Sequence, residues 1–582
     1  MRRKAKIVCT IGNVKKILEQ EIRHRLQNTL TDVRELKEEV DDKTDELLAE
    51  ELRRTMSGFI ERGMNVARLN MAHFNVNDED DKDYMRKLME TIRELSEEVA
   101  IMGDLQGPKI RIKDFLGACK GQNEVDLNGA DTFILTTKET LSGVSGASIR
   151  KPEFLDFIGN VKRNIKDRNL PVEFWFADGE VILEAREEDI REDDAEIHCR
   201  IKVAGVLKRN KGISVKNSSM QPGRYELWKY PKDKVDIEFL LVHDIDMLAL
   251  SMVNSDDDVK SLQDHIRDSI GGSGGVQEIE RGFYSGIQDF PIISKIETEE
   301  GVRRIDEIID VSYGVMVARG DLALQTRIQD IPLLQKRIIE KAVLKAKPVI
   351  TATQMLSWMM YFIEPKRAEA TDVANAIYDG TDALMLSEET ADPKSKYPKE
   401  AIKMMSDIAM AAENDLRQRN TLEYKYKVDQ LHEKIMKSQP GGASASGTGQ
   451  TEFQSEVDIL RVSQTVTYNA CKKAFELGCK AIIVLTETGE TARMISRFKP
   501  DVTIIAGVYS PQIGRLLSLS YGVKAILIKA QDTGYPFSEF KDVLKRAKEL
   551  HLLEPGDRVV TVGRYPRTQS GTVTLINVCT LE

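Results

Sequence analysis

The chain has 582 residues, 41% hydrophobic and 31% charged, which is enough apolar content for several cores and predicts three or four domains. Its net charge of −10 leaves no basic footprint for nucleic acid. The six cysteines (9, 119, 199, 471, 479 and 579) form no Cys-x-x-Cys pair and no His-Cys cluster, which argues against a zinc site and a secreted disulfide framework. The apolar run Ile7 to Ile11 after the basic start is too short for a signal sequence, and no stretch is long enough to span a bilayer. A cytoplasmic protein without nucleic-acid or membrane partners is expected.

Over residues 1–390, short apolar strands alternate with helical stretches. Eight strands are expected: Lys6–Gly12, Asn65–Asn70, Val99–Gln106, Asp246–Val253, Pro291–Glu297, Gly314–Asp321, Pro348–Gln354 and Ala383–Glu389. Strict alternation of strand and helix predicts a parallel sheet, and eight repeats at this length fit a closed (β/α)8, TIM-type barrel. Residues 14–55 are highly charged, with apolar residues at 18, 22, 26, 30, 33, 36 and 40, a helical spacing. They read as a helical excursion outside the barrel wall or as a partner-binding helix. Residues 114–216 break the rhythm and are β-rich. Asp178-Gly179 between strand formers signals a hairpin, so a small β-domain inserted as a lid is expected. The barrel then comprises 1–113 and 217–412. Gly/Ser-rich stretches near 271 and 440 read as flexible, with 413–461 as a linker. A C-terminal α/β domain is expected over 462–582, with strands Ala481–Leu485, Val502–Ala506, Val523–Ile528, Arg558–Val562 and Thr572–Val578.

Polar residues gather at the C-terminal ends of the barrel strands: Arg68 and Asn70, Asp104, Ser251, Lys295 and Glu297, Asp321, Thr353, Ser387 and Glu389. Barrel active sites lie at that end. Lys295 and Glu297 share strand parity and so point to one face, while Ile292 and Ile296 point to the other. With Asp321 ending the next strand, a lysine between two carboxylates suits a divalent metal and a phosphate. The competing reading is an ion pair that only braces the barrel end.

Lys6-Ile-Val-Cys-Thr-Ile-Gly12, Gly63-Met-Asn-Val-Ala-Arg-Leu-Asn70, Asp104-Leu-Gln-Gly-Pro-Lys-Ile-Arg111 and Ser294-Lys-Ile-Glu297 form an ordered set of motifs. Met316-Val-Ala-Arg-Gly-Asp-Leu322, Thr351-Ala-Thr-Gln-Met-Leu356 and Met385-Leu-Ser-Glu-Glu-Thr390 continue it. Together they resemble pyruvate kinase along nearly the whole chain. The resemblance implies transfer of a phosphoryl group from phosphoenolpyruvate to ADP, giving pyruvate and ATP. It also implies Mg²⁺ or Mn²⁺ as cofactor and assembly as a homotetramer.

By position, the resemblance implies that Glu297 and Asp321 bind the metal, and that Lys295, Arg68 and Arg111 face the transferring phosphoryl group. Ala318, Arg319 and Gly320 would offer backbone N–H groups to the substrate carboxylate. Thr353 and Ser387 would lie on the path that delivers a proton to carbon. Arg68, Asn70 and His73, with Asp178 and Lys211 on the lid, would serve the nucleotide. For Arg111 a structural salt bridge is the rival reading. Asn70, Asp104 and Lys109 mark the monovalent-cation position. There Leu105 and Lys109 match the K⁺-independent branch, so K⁺ is not expected to be required. The turn Thr486-Glu-Thr488-Gly489-Glu-Thr491 resembles the pocket for a phosphorylated effector, against a plain helix-capping alternative.

Departures from the family pattern occur at Asn13, Ala72, Ala323, Gln325 and Lys366, none at a metal ligand or at Lys295. They and the insertions motivate two alternatives: a non-catalytic, metabolite-sensing paralogue, or a metal-dependent lyase acting on phosphoenolpyruvate or pyruvate.

Overall fold

A computed structural model describes residues 3–12, 33–108, 111–139, 145–149, 171–176, 179–191, 195–209, 212–216, 230–271, 289–419, 421–438, 456–529, 537–564 and 573–582. Eight parallel strands close into a barrel in chain order: β1 (Lys6–Ile11), β2 (Val66–Asn70), β3 (Ala100–Asp104), β4 (Met247–Leu250), β5 (Ile292–Ile296), β6 (Gly314–Ala318), β7 (Val349–Ala352) and β8 (Ala383–Leu386). β1 closes the ring by pairing Lys6 with Ala383 on one side and Val8 with Val66 on the other.

Side-chain alternation along each strand builds two apolar layers. Val8, Val66, Met102, Ala249, Ile293 and Met316 fill the barrel interior. Ile7, Cys9, Ala67, Ile101, Leu248 and Ile292 pack outward beneath the helices. Thr10, Arg68, Asp104, Ser251 and Lys295 share parity with the inward set, so the same alternation makes them the top layer of the barrel.

Several strands end earlier than their alternation suggests. β6 stops at Ala318, and Asp321 lies in the first turn of a short helix, α2 (Arg319–Gln325), instead of ending the strand. β8 stops at Leu386, and Glu389 sits on the helix Glu388–Ala391. In both places the chain turns onto the rim as soon as its neighbour stops pairing.

The charged segment is corrected in part. Helix α1 (Val33–Glu61) runs past residue 55, and Leu48, Leu52, Met56 and Phe59 are buried in the outer barrel core. Their spacing of four, four and three residues is one helix face, so this half belongs to the helical coat of the barrel. The apolar positions at 18, 22, 26 and 30 lie outside the described residues.

Between β3 and β4 sits a β unit whose main sheet runs Ser214–Lys216, Val172–Phe176, Val181–Ala185, Glu196–Val203, Thr132–Thr136, Gly146–Ile149, Ile112–Leu116. Val172–Phe176 and Val181–Ala185 form the expected antiparallel hairpin. Phe115, Phe133, Phe174 and Phe176 are buried in its own core. Its strand Ser214–Lys216 lies against α2, and Arg111 bridges to Gly212, so the unit meets the barrel at the rim.

Helices α3 (Pro398–Arg419), α4 (Thr421–Lys437) and α5 (Glu456–Glu476) lead to a five-stranded C-terminal sheet. Its order is β11 (Val523–Leu527), β10 (Thr503–Val508), β9 (Ala481–Leu485), β12 (Arg558–Gly563), β13 (Leu575–Thr580), with only β13 antiparallel. Helix α6 (Glu490–Ser496) follows β9. Among the described residues no helix is long and apolar enough to cross a membrane.

Candidate active site

Lys295 is buried at the end of β5 and is the hub of the rim. Its Nζ donates to Ser251 Oγ at 2.8 Å and pairs with Asp104 Oδ1 at 3.2 Å and Glu297 Oε1 at 3.1 Å. Arg68 donates from Nε to Asp104 Oδ2 at 2.6 Å and from Nη1 to Thr10 Oγ1 at 2.7 Å. Thr10 in turn donates to the Leu386 carbonyl at 2.9 Å. Glu297 Oε2 accepts the Met252 N–H at 2.7 Å. Side chains at the ends of β1, β2, β3 and β5, with Ser251 and Met252 just past β4, thus form one connected polar layer.

Burial alone would lower the Lys295 ammonium, but Asp104 and Glu297 outweigh it and hold the lysine above its ordinary value. Burial would raise Asp104; Arg68 and Lys295 outweigh that and hold it below the usual carboxylate range. Arg111 is lowered by burial, with Asp321 opposing the shift. Lys295 therefore stays a cation and Asp104 an anion through neutral pH. Three cations (Lys295, Arg68, Arg111) face three carboxylates (Asp104, Glu297, Asp321).

The other candidates are placed as follows. Thr353 follows β7 with φ +70° and Gln354 with φ +53°, left-handed values that a β-branched residue rarely adopts. Thr353 Oγ1 accepts the Gly320 N–H at 2.8 Å and donates to Ala352 O at 2.6 Å. Gly320, expected to offer its N–H to a substrate, has it engaged by Thr353 here. Ala318 caps the start of α2. The Arg319 side chain turns below the rim, donating to Thr353 O at 2.6 Å and pairing with Asp372 at 2.6 Å. Ser387 Oγ is buried with no hydrogen-bond partner among the described residues, while its N–H donates to Glu389 Oε2 at 2.7 Å. Asn70 caps the turn Met71–His73 by accepting the Ala72 N–H at 3.3 Å, and His73 is exposed beside it. Lys109, Asp178 and Lys211 lie outside the described residues. Gly107, two residues before Lys109, has φ +65°, and a Cβ there would stand 2.9 Å from Ser251 O, so the loop needs glycine.

Thr10 and Ser251 have roles that sequence reasoning missed. Their parity with the barrel interior was readable, but the hydrogen bonds to Arg68 and Lys295 needed the closed ring. In the C-terminal unit, Thr486 Oγ1 accepts the Gly489 N–H at 3.0 Å and Thr488 Oγ1 accepts the Glu490 N–H at 3.4 Å. These bonds order the turn ahead of α6, whose N-cap residue is Gly489. Thr491 lies on α6 itself.

Residues 2–402 match the pyruvate kinase barrel domain, and residues 464–579 match the pyruvate kinase alpha/beta domain. A pyruvate kinase from Clostridium acetobutylicum is 32% identical over 537 residues, covering 92% of this chain and 98% of that protein. One from Thermococcus litoralis is 33% identical over 537 residues, covering 90% and 95%. The crystal structure of Cryptosporidium parvum pyruvate kinase aligns with TM-score 0.72 at 27% identity, covering 100% of this chain and 98% of that one. With both domains matched in order around a rim of this composition, the chain belongs to the pyruvate kinase family.

Proposed function

We propose that this chain transfers the phosphoryl group of phosphoenolpyruvate to ADP, giving pyruvate and ATP. The carrying observation is Lys295, buried yet held charged between Asp104 and Glu297 at the mouth of the barrel. The bond from phosphorus to the enol oxygen breaks and one to a terminal oxygen of ADP forms. The enol carbon then takes a proton. Phosphoryl transfer of this kind depends on positioning and on charge stabilisation. One unit charge at ~4 Å and an effective dielectric of ~20 is worth about 4 kcal/mol. Lys295, Arg68 and Arg111 therefore act on the transferring group, with Asp104 and Thr10 orienting Arg68.

Glu297 and Asp321 would hold the divalent metal, Mg²⁺ or Mn²⁺. A donor set of one or two carboxylates completed by substrate oxygens fits the habits of Mg²⁺. When bound, the metal supplies charge stabilisation and orients the substrate oxygens. Backbone N–H groups at Ala318 and Arg319 face the substrate carboxylate, and that of Gly320 joins them only on leaving Thr353 Oγ1. Thr353 and Ser387 carry the proton path, a role the unpartnered Ser387 hydroxyl supports. Arg68, Asn70 and His73 serve the nucleotide, with Asp178 and Lys211 from the inserted unit, residues 114–216, acting as lid.

The reading requires no K⁺. Leu105 and Ala72 stand where side-chain oxygens would be needed, and neither has one. Lys109 supplies a tethered charge instead. The chain works as a homo-oligomer, which exposed Trp358, Tyr361, Phe362 and Ile363 support. Nothing favours the lyase or the non-catalytic reading: no departure removes Lys295, Glu297 or Asp321.

A coupled assay for ADP-dependent pyruvate formation, run with Mg²⁺ in buffer free of K⁺ and Na⁺, tests both claims. Full activity is expected. No ADP-dependent pyruvate under any cation overturns the function. Strong activation by KCl at fixed ionic strength overturns only the K⁺ claim.

A further inference from the structure

The helix Pro231–Val242 leads from the inserted unit back into β4. It begins with Pro231 and carries Asp233 in its first turn. An acid at that position ordinarily stays near the surface, where the free N–H groups of its own helix favour it. Asp233 is instead 1% exposed. Its Oδ2 accepts the Gly107 N–H at 3.0 Å, from a residue 126 positions earlier in the chain. Burying a carboxylate is costly unless hydrogen bonds offset it, so the placement calls for a reason beyond the helix itself.

That reason lies in what the loop after β3 touches. A Cβ at Gly107 would stand 2.8 Å from Ser251 Cβ, so the loop backbone rests directly on Ser251. The Leu105 N–H donates to the Ala249 carbonyl at 3.0 Å, and the Leu105 carbonyl accepts from Ser251 Oγ at 2.8 Å. These bonds tie the start of the loop to the end of β4, and Asp233 ties its far side to the helix. The result sets a hydroxyl. Ser251 has one proton to donate, and it goes to Leu105. Its lone pairs are left to accept from Lys295 Nζ at 2.8 Å. If the loop drifted, the Leu105 carbonyl would leave, and the hydroxyl would be free to turn its proton toward the ammonium, donor against donor.

We propose that Asp233 is a positioning residue for the rim. Through the Gly107 N–H it holds the loop Leu105–Gly107 on Ser251, and so keeps the Ser251 hydroxyl accepting from Lys295. It acts through the loop and not on the reacting groups. The inference rests on the reaction assigned to the rim, and it adds a residue 62 positions before Lys295 whose effect reaches that lysine through two hydrogen-bonded neighbours.

The test compares full-length wild type, Asp233→Asn and Asp233→Ala in the coupled assay with Mg²⁺, alongside amide exchange of the peptide containing Gly107, read by mass spectrometry. Asparagine keeps an oxygen that accepts the Gly107 N–H, and alanine does not. Asp233→Ala should lower kcat about tenfold or more, the effect of losing one hydrogen bond to a charged acceptor, with KM for both substrates within about threefold of wild type. Its Gly107 peptide should exchange faster. Asp233→Asn should restore both kcat and protection to within about threefold. A residue that merely stabilised the fold would give no such split between kcat and KM. The proposal is overturned if kcat of Asp233→Ala stays within threefold of wild type, if Asp233→Asn is as slow as Asp233→Ala, if the loss is carried by KM, or if the Gly107 peptide exchanges alike in all three proteins. Loss of the far-ultraviolet circular dichroism spectrum in Asp233→Ala also overturns it, by making Asp233 a folding residue. Wild type that forms no ADP-dependent pyruvate overturns the assigned reaction and this inference together, whereas an active wild type with indifferent variants overturns this inference alone.

Discussion

Lys295 has the dual character that phosphoryl transfer demands: dry enough for its charge to count, paired closely enough to keep it. Lys295→Met should lower kcat by on the order of 10²–10³, the effect of losing one preorganised charge. Metal binding should persist, whereas Glu297→Gln should raise the divalent-metal requirement. A Lys295→Met kcat within tenfold of wild type would refute the assignment. Asp104 makes a prediction with a pH sign. Its folded value is depressed by Arg68 and Lys295. The ionised carboxylate therefore adds stability that is fully present above the ordinary value near 3.9 and is lost as pH falls through the folded one. Removing one partner from a buried charge pair costs about 3–5 kcal/mol. Asp104→Asn should accordingly melt well below wild type at pH 7, and the gap should narrow below about pH 4. A gap that stays constant down to pH 3 would mean that Asp104 contributes shape and no charge.

The rim is built where strands stop, and the strand ends hold strain. Met252, Thr353 and Gln354 all have positive φ, at a cost of about 1–3 kcal/mol each. Each left-handed residue sits beside a contact that fixes the site. The Met252 N–H holds Glu297, and Thr353 holds the Gly320 N–H at the start of α2. Arg319 clamps the Thr353 carbonyl from below and is itself fixed by Asp372. Thr353→Ser preserves the acceptor for Gly320 and should keep kcat/KM within about threefold, whereas Thr353→Ala frees that N–H and should lose tenfold or more, about 1.4 kcal/mol. Equal kinetics in the two variants would separate the hydroxyl from the positioning of α2. Strand parity was legible in the sequence. It aligned Lys295 with Glu297, and the same two-residue period puts Thr10, Arg68, Asp104 and Ser251 on the inward face. The positions of Asp321 and Glu389 on rim helices were not legible, because a strand ends where its neighbours stop pairing, and a single segment does not carry that information. The contacts of the Arg319 side chain were hidden for the same reason: its partners, Thr353 and Asp372, are 34 and 53 residues away.

At the scale of the molecule, the barrel is gripped at its base. Arg515, buried, donates to Asp246 Oδ1 at 2.5 Å and pairs with Asp244 at 3.0 Å, while Arg93 holds Asp246 from the barrel side at 2.7 Å. These contacts fix the C-terminal unit at the end of the barrel opposite the rim, and leave the flank after β7 uncovered. There Trp358 stacks on Phe362 with ring centres 4.2 Å apart, and Lys366 lies over Trp358 at 4.0 Å. Tyr361, Phe362 and Ile363 remain 49%, 49% and 59% exposed. Three consecutive large apolar residues at the surface of a chain that buries its other cores thoroughly are the signature of a contact surface, since apolar area left in water costs roughly 25 cal/mol per Å². A second copy of the chain is the occupant that the homo-oligomer reading calls for, and an isologous contact would bury the same stretch on both partners. Phe362→Asp with Ile363→Asp should therefore lower the mass measured by light scattering at micromolar concentration to that of a smaller species. The barrel core lies beneath this turn and is untouched by either change, so the circular dichroism spectrum should be unaltered. A wild-type protein that is monomeric across the concentration range, or a double variant whose mass is unchanged, would show that this flank is not where copies meet.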